Sequence, residues 1–369
     1  MYTRKNEEYW KRTTTIAPPP STSKVKYTYY YFSSNHNLRV ILDSLIYELQ
    51  NKTCIRFTES KNKQDSNISI RLGWKGTRPK TSIVQSKKLS KVVEFPLECK
   101  DSPGCIYRHF LYMLGIIPTH KRPDRDTYIT VNKANVDKKN CFFENYTEIK
   151  NSSGNTMSFG DYDFGSLAHT KQYRCHKNFQ PPISAKIKAY NDMMGHDSDL
   201  SFNDQKLINL ALSLCNPQKC SVNLTQECQN YGYQNPNNCN KCICPTGFEG
   251  QFCEKMISSD NECNGTSNIS VTEEASEIKL NGRMNCYYNI TTSKNHRIEF
   301  NIKHVKTGDQ LICYSGVGFE LKHRKDVGAT GLCLCKEKKN ITVRTDMNYA
   351  YLIYNGFQSD FLVDLSFKR

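Results

Sequence analysis

The sequence predicts an α+β chain in three folded parts: a two-lobed mixed domain over 25–216, a small disulfide-rich module over 217–254 and a β-sandwich over 262–369. Three observations carry this. Helical and strand periods alternate in the first part, and six cysteines crowd the short second part. The third part is a series of short runs that alternate apolar and polar residues at regular spacing.

Residues 1–24 read as a disordered lead, with three prolines at Pro18–Pro20. This lead has no apolar core and is not an export signal, so the true start is expected further upstream. Tyrosine-rich Val25–Phe32 alternates as a first strand. Over Asn37–Asn51, Leu38, Ile41, Leu45, Ile46 and Leu49 recur at helical spacing and predict an amphipathic helix. Asn67–Leu72 alternates again as a strand. Ser201 and Asp204 stand three apart before Leu207, Leu210 and Leu214; the hydroxyl caps a first turn and the acid complements its dipole, so a helix starts there. In the third part the predicted strands are Arg297–His304, Ile341–Arg344, Tyr349–Tyr354 and Phe361–Phe367.

Residues 104–136 hold the pattern that bears on chemistry. Gly115 is followed by Arg122-Pro-Asp-Arg-Asp126, then by Tyr128, Ile129, Val131, Asn132, Asn135 and Val136. This run resembles the segment after the metal motif H-E-x-x-H-x-x-G-x-x-H in the astacin family of metzincin zinc endopeptidases. Cys54-Ile-Arg-Phe57 and the stretch 195–209 resemble further family landmarks. Counting back from Arg122 puts Gly115 on the motif glycine and Arg108, Tyr112 and Pro118 on the three zinc-ligand positions. His109 falls on the catalytic glutamate.

Two imidazoles at i and i+4 share a helix face and grip one metal; a third closes the site and leaves a position for water. Here the i, i+4 pair is a guanidinium with no lone pair and a phenol, and Pro118 has no ligand atom. His109 has Met113 as its i+4 companion. Zinc lowers the pKa of bound water from about 15.7 to about 7, worth roughly 11–12 kcal/mol. The absent glutamate removes a further factor of about 10²–10⁴. Tyr162-Asp-Phe-Gly-Ser-Leu-Ala-His-Thr170 resembles the family turn beneath the metal, with Ala168 for its methionine and Thr170 for the tyrosine that swings toward zinc. His169 keeps a family position that is not a ligand. A register on Met157 is the alternative. Thr119 replaces the glutamate that pairs with the mature N-terminus.

The resemblance also implies disulfides. It joins Cys54 to Cys215. Residues 217–254 resemble an EGF-like module, which implies Cys220–Cys239, Cys228–Cys242 and Cys244–Cys253, although spacing alone leaves 15 pairings. The last part resembles a CUB domain, which suggests Cys263–Cys286 and Cys313–Cys333, with Cys335 as the odd thiol. Cys99–Cys105 and Cys141–Cys175 are the pairs assigned to the remaining cysteines of the first domain.

The chain has 369 residues, 17 cysteines and a net charge of +15. That many cysteines without a paired C-x-x-C zinc set indicates an oxidising compartment. Candidate glycosylation sequons at Asn51, Asn67, Asn145, Asn151, Asn223, Asn264, Asn268, Asn289 and Asn340 point the same way, to a secreted glycoprotein. No apolar run approaches 18 residues, so no membrane span is expected. The positive charge is dispersed, with clusters at Lys87–Lys91, His120–Arg125 and Lys322–Lys325, and no basic helix or stacking platform argues for nucleic acid. The leading expectation is therefore a secreted, catalytically inactive pseudo-protease without metal cofactor, binding extracellular proteins or matrix glycans. The competing one is an active zinc endopeptidase with an unusual ligand set such as His109, His120 and His169.

Overall fold

The structure, a computed structural model, describes residues 26–31, 36–62, 68–72, 91–95, 99, 102–114, 116–138, 146–149, 160–211, 220, 226–263 and 266–369. The expected lead over 1–24, Gly115, Cys141, Cys215 and sequon residues Asn67, Asn145, Asn151, Asn223 and Asn264 lie outside the described residues.

The upper lobe is a parallel four-stranded sheet, β1 (Lys26–Tyr31), β2 (Arg56–Glu59), β3 (Ile68–Leu72) and β4 (Lys91–Phe95), in the order β2-β1-β3-β4. The chain crosses from β1 to β2 through helix α1 (His36–Lys52), as a parallel pair requires. That helix buries Leu38, Leu45, Ile46 and Leu49 of the predicted stripe and Leu42 beside them, while Ile41 is only partly buried against the same core. Against the same core lies α2 (Pro103–Leu114), which buries Ile106, Tyr107, Phe110, Leu111 and Leu114. Phe57 of β2 meets Phe110 with ring centroids 5.5 Å apart. Each such buried side chain contributes about 1.5–3 kcal/mol.

The lower lobe is largely irregular. Its paired strands among the described residues are β5 (Ile129–Val131) and β6 (Ile183–Ala185), with isolated bridges at Val136–His176 and Lys177–Gln180. Arginines hold the turns: Arg122 grips Asp124 with two nitrogens (2.9 and 2.8 Å). Arg125, almost fully buried, donates to the carbonyls of His120 and Tyr146. Helix α3 (Phe202–Lys206) then opens on the capping box the sequence predicts, with Ser201 and Asp204 each bonding the other's backbone.

The EGF-like module consists of two hairpins, β7 (Tyr233–Asn235) with β8 (Asn238–Ile243) and β9 (Phe248–Glu249) with β10 (Lys255–Met256). It is pinned by Cys220–Cys239, Cys228–Cys242 and Cys244–Cys253. The CUB-like sandwich packs a five-stranded sheet on a four-stranded one. The first is β11 (Asn268–Ser270), β13 (Asn285–Thr291), β18 (Tyr349–Asn355), β15 (Gly318–Lys322) and β16 (Leu332–Leu334). The second is β12 (Ser276–Asn281), β19 (Leu362–Lys368), β14 (Glu299–Lys306) and β17 (Lys338–Arg344).

Cys263 pairs with Cys286. The expected Cys313–Cys333 pair is corrected to Cys313–Cys335, with Cys333 free and buried. Cys333 lies inside β16, opposite Glu320, and its thiol is directed at the Gly331 carbonyl. Cys335 lies just past the strand, where its N–H meets Cys313 Sγ at 3.0 Å, so the backbone delivers that sulfur to its partner. Cys99 pairs with Cys105. Cys54 and Cys175 are also disulfide-bonded, and their expected partners Cys215 and Cys141 are outside the described residues.

The modules are not beads on a string. One continuous core joins Tyr162, Phe164, Tyr190 and Met193 of the lower lobe to Phe319, Leu332, Leu334 and Phe361 of the sandwich. Tyr190 Oη and His323 Nε2 meet at 2.8 Å. Buried Arg324 donates to the Tyr162 carbonyl and lies 4.7 Å over the Tyr128 ring. The EGF-like module also reaches the upper lobe, where Asn237 accepts from Arg56 (2.7 Å), and the segment after α3, where Tyr233 Oη accepts from Asn209 (2.9 Å). Val327 of the sandwich packs against Phe248 and Cys242 of the EGF-like module. Replacing Arg324 with alanine orphans a buried carbonyl and empties the face of Tyr128. Urea unfolding should show a loss of about 2–4 kcal/mol for Arg324→Ala, and Arg324→Lys, lacking the flat stacking surface, should recover only a minor part.

Candidate active site at the central helix

Helix α2 puts the expected site residues in place. Pro103 opens it, where a missing N–H costs nothing, and Ser102 Oγ accepts the N–H of Cys105 at 3.4 Å. With one face committed to the upper core, Arg108 and Tyr112, four apart, point together at the turn formed by residues 166–170. The two positions that the resemblance gives to zinc ligands thus share one helix face.

What they do there is hydrogen bonding to backbone. Arg108 Nε lies 3.1 Å from both the Leu167 and the His169 carbonyl oxygens, and Nη2 lies 3.3 Å from that of His196. Asp197 Oδ1 is 3.5 Å from the same Nη2, and the arginine side chain is only 11% exposed. Tyr112 donates its hydroxyl to the Ala168 carbonyl at 3.2 Å, and the Thr119 N–H reaches the same oxygen at 3.3 Å. Pro118 is buried and its side chain presents no donor. Helix and turn are thus joined by a guanidinium, a phenol and an amide aimed at three consecutive carbonyls.

The turn is fixed from its other side by Asp204, a contact that sequence reasoning missed. Beyond its capping role, Asp204 accepts from Ser166 Oγ (2.7 Å) and from the Leu167 N–H (2.8 Å). Burial, with the charge of Asp163 nearby, lifts its carboxyl to about 6, despite these donors. Ala168 and Thr170 are buried where the family has methionine and tyrosine. His169 is fully enclosed: Nδ1 is 2.8 Å from the Thr170 carbonyl, which makes it the N–H, so Nε2 accepts the Tyr162 hydroxyl at 2.7 Å. Burial pushes this imidazole down to about 3, and the cations around it, Arg108 included, act in the same direction. His323 is likewise driven to about 4 by burial.

The donor set does not fit a zinc ion. A permanent cation occupies the first ligand position and spends its donors on carbonyls; the other two positions offer a donating phenol and a proline ring. The alternative set is not assembled either. His120 and His169 rings lie 6.0 Å apart, but the one lone pair of His169 is taken by Tyr162. Among the described residues the only trio of ligand atoms that converges is Cys99, Cys105 and His109, and its two sulfurs are bonded to each other. His109 Nδ1 is 2.8 Å from the Cys105 carbonyl.

A helix at the floor of the upper lobe, facing a turn raised from a mostly irregular lower lobe, defines the class as a metzincin-type peptidase scaffold. The chain belongs to the astacin family: the model of the Astacin peptidase family matches residues 15–213. Zinc metalloproteinase nas-34 of Caenorhabditis elegans is 27% identical over 330 residues, covering 88% of this chain and 52% of that protein. Zinc metalloproteinase nas-26 of the same organism is 26% identical over 342 residues, covering 91% of this chain and 80% of that one. This chain thus spans about half the length of nas-34. Among solved structures, High choriolytic enzyme 1, a hatching enzyme zinc-protease from Oryzias latipes, shares 21% identity over 51% of this chain and 88% of that one, with a TM-score of 0.41.

Two outcomes follow from this geometry. Arg108→Ala leaves three buried carbonyls without their donor and should cost at least about 3 kcal/mol in chemical unfolding, with Arg108→Lys intermediate. The second concerns pH. His169 and His323 are held neutral in the fold and titrate near 6.5 when unfolded, so their contribution is complete above pH 6.5 and shrinks as pH falls toward 4 and 3. Asp204, raised to about 6, runs oppositely below pH 6. The net expectation is a loss of about 2–3 kcal/mol between pH 7 and pH 5, read from urea midpoints at the two values.

Proposed function

We propose that this chain is an extracellular astacin-family homologue that no longer cleaves peptide bonds and works by binding other proteins or matrix glycans. The observation that carries the reading is Arg108: its guanidinium stands at the first zinc position and is bound by the carbonyls of Leu167, His169 and His196. A metal there would meet a fixed positive charge, and Tyr112 and Pro118 offer it nothing in return. The disulfides of the EGF-like module and of the sandwich, and the sequon residues Asn51, Asn268 and Asn340 exposed on the surface, support secretion. No helix of the described residues is long and apolar enough to cross a membrane.

Metal analysis of the purified full chain is expected to find no stoichiometric zinc, and a chelator should leave its melting temperature unchanged. The combined substitutions Arg108→His, His109→Glu, Tyr112→His and Pro118→His should introduce zinc binding, because the helix and turn that would hold the ion persist. Stoichiometric zinc in the unaltered chain, with peptide cleavage that the chelator abolishes, would overturn the reading in favour of an active endopeptidase.

A further inference from the structure

The lower lobe carries a surface that the cleft does not use. From Phe164 to Asn191 the sequence contains no aspartate or glutamate, while it holds Lys171, Arg174, Lys177, Lys186 and Lys188. The fold brings this stretch together with the segment after β5. Val136 bridges to His176, the Lys177 N–H reaches the Asn135 carbonyl at 2.7 Å, and β6 leads straight into Lys186 beside Tyr128. Lys133, Lys177, Lys186 and Lys188 are exposed, and none of them is held in an ion pair among the described residues. On the sandwich Lys303 and Lys306 lie against Glu277 and Asp360, and Asp192, the lower-lobe acid that follows this stretch, is taken up by Lys336 and Lys338 of the sandwich. Lys133, Lys177, Lys186 and Lys188 are thus four lower-lobe cations without a carboxylate partner among the described residues, in a stretch that Asp137 joins through its N–H on the Cys175 carbonyl (2.9 Å).

Aromatic rings are interleaved with these lysines. Phe179 is 83% exposed and Tyr173 50% exposed, and the rings of Tyr173, His176 and Phe179 follow one another at centroid distances of 6.0 and 5.3 Å. Cys175, Asn178 and Phe179 all adopt positive φ (61°, 53° and 58°). Such a backbone costs about 1 kcal/mol or more per bulky residue and persists only where the surroundings impose it. Asn178 and Phe179 are the two central residues of a tight turn closed by the Gln180 N–H on the Lys177 carbonyl (3.0 Å), and the turn carries the Phe179 ring at its exposed tip.

We propose that this face binds a sulphated polysaccharide of the extracellular matrix. Sulphate esters supply anions for Lys133, Lys177, Lys186 and Lys188, and the apolar faces of the sugar rings lie on Phe179 and Tyr173. A protein partner would require its apolar anchors gathered in a desolvated pocket, whereas Phe179 and Tyr173 stand open on the surface. The inference rests on the reading above only in placing the chain outside the cell; it uses no residue of the cleft.

Heparin is the probe, with binding to the full chain measured across a salt series. Lys177→Gln, Lys186→Gln and Lys188→Gln together should lower the slope of log affinity against log salt by about 2–3, at roughly 0.7–0.9 per lost cation. The control triple Lys241→Gln, Lys294→Gln and Lys368→Gln removes the same net charge elsewhere and should leave the slope within error. Phe179→Ala should weaken binding several-fold at an unchanged slope. All of these positions are exposed, and unchanged melting temperatures would establish that the variants fold. Equal effects of the two triples would reduce the interaction to net charge and overturn the proposal. So would heparin failing to bind while phosphatidylserine vesicles do, which would make the face a membrane contact. Zinc content and peptide cleavage report on the cleft separately, so neither reading can fail through the other.

Discussion

A guanidinium in a nearly closed space between helix α2 and the turn at residues 166–170 is the contact on which the site depends. It is a poor group to bury unless every donor finds an acceptor, because an unpaired cation in that setting costs several kcal/mol. Here the backbone supplies the acceptors: carbonyls of Leu167, His169 and His196, with Asp197 at the rim. The turn in turn needs its own restraint to present those carbonyls, and Asp204 provides it from α3. At this spot a positive charge is thus held among oxygen atoms, and the helix and the turn are tied through it.

Much of this was legible in the sequence, for reasons that differ by element. Helix α1 showed itself through an apolar stripe, and α3 through the Ser201–Asp204 cap, because both signals are local. The arginine-rich run 122–126 marked the register, and its arginines act as the buried staples such spacing implies. The bonds of Arg108 were not legible, since they depend on carbonyls some 60 to 90 residues away. The second role of Asp204 was hidden for the same reason. The mistake over Cys333 and Cys335 has a plainer cause. Two cysteines separated by one residue are nearly equal in sequence distance from Cys313, and only the end of β16 distinguishes them.

The sandwich was read from its later strands, Arg297 onward, where the polar–apolar alternation is clean. Strands β15 and β16 escaped because every residue in them is buried, so no alternation exists to be seen. Their full burial follows from the packing of the lower lobe against them. Phe164, Tyr190 and Met193 complete a core that neither part holds alone.

That shared core has a consequence for synthesis. Tyr162 waits for Arg324, which emerges 162 residues later. At about 5–20 residues per second the lower lobe stands for roughly 8–30 s with its apolar face uncovered. During that interval the upper lobe can already close on its own sheet. The nascent chain is then half folded, with rings of Phe164 and Tyr190 open to whatever surrounds the ribosome exit. A chain built in this way has its unit of folding set by the order of emergence rather than by module boundaries. Its demand on chaperones is fixed by how late the sandwich arrives.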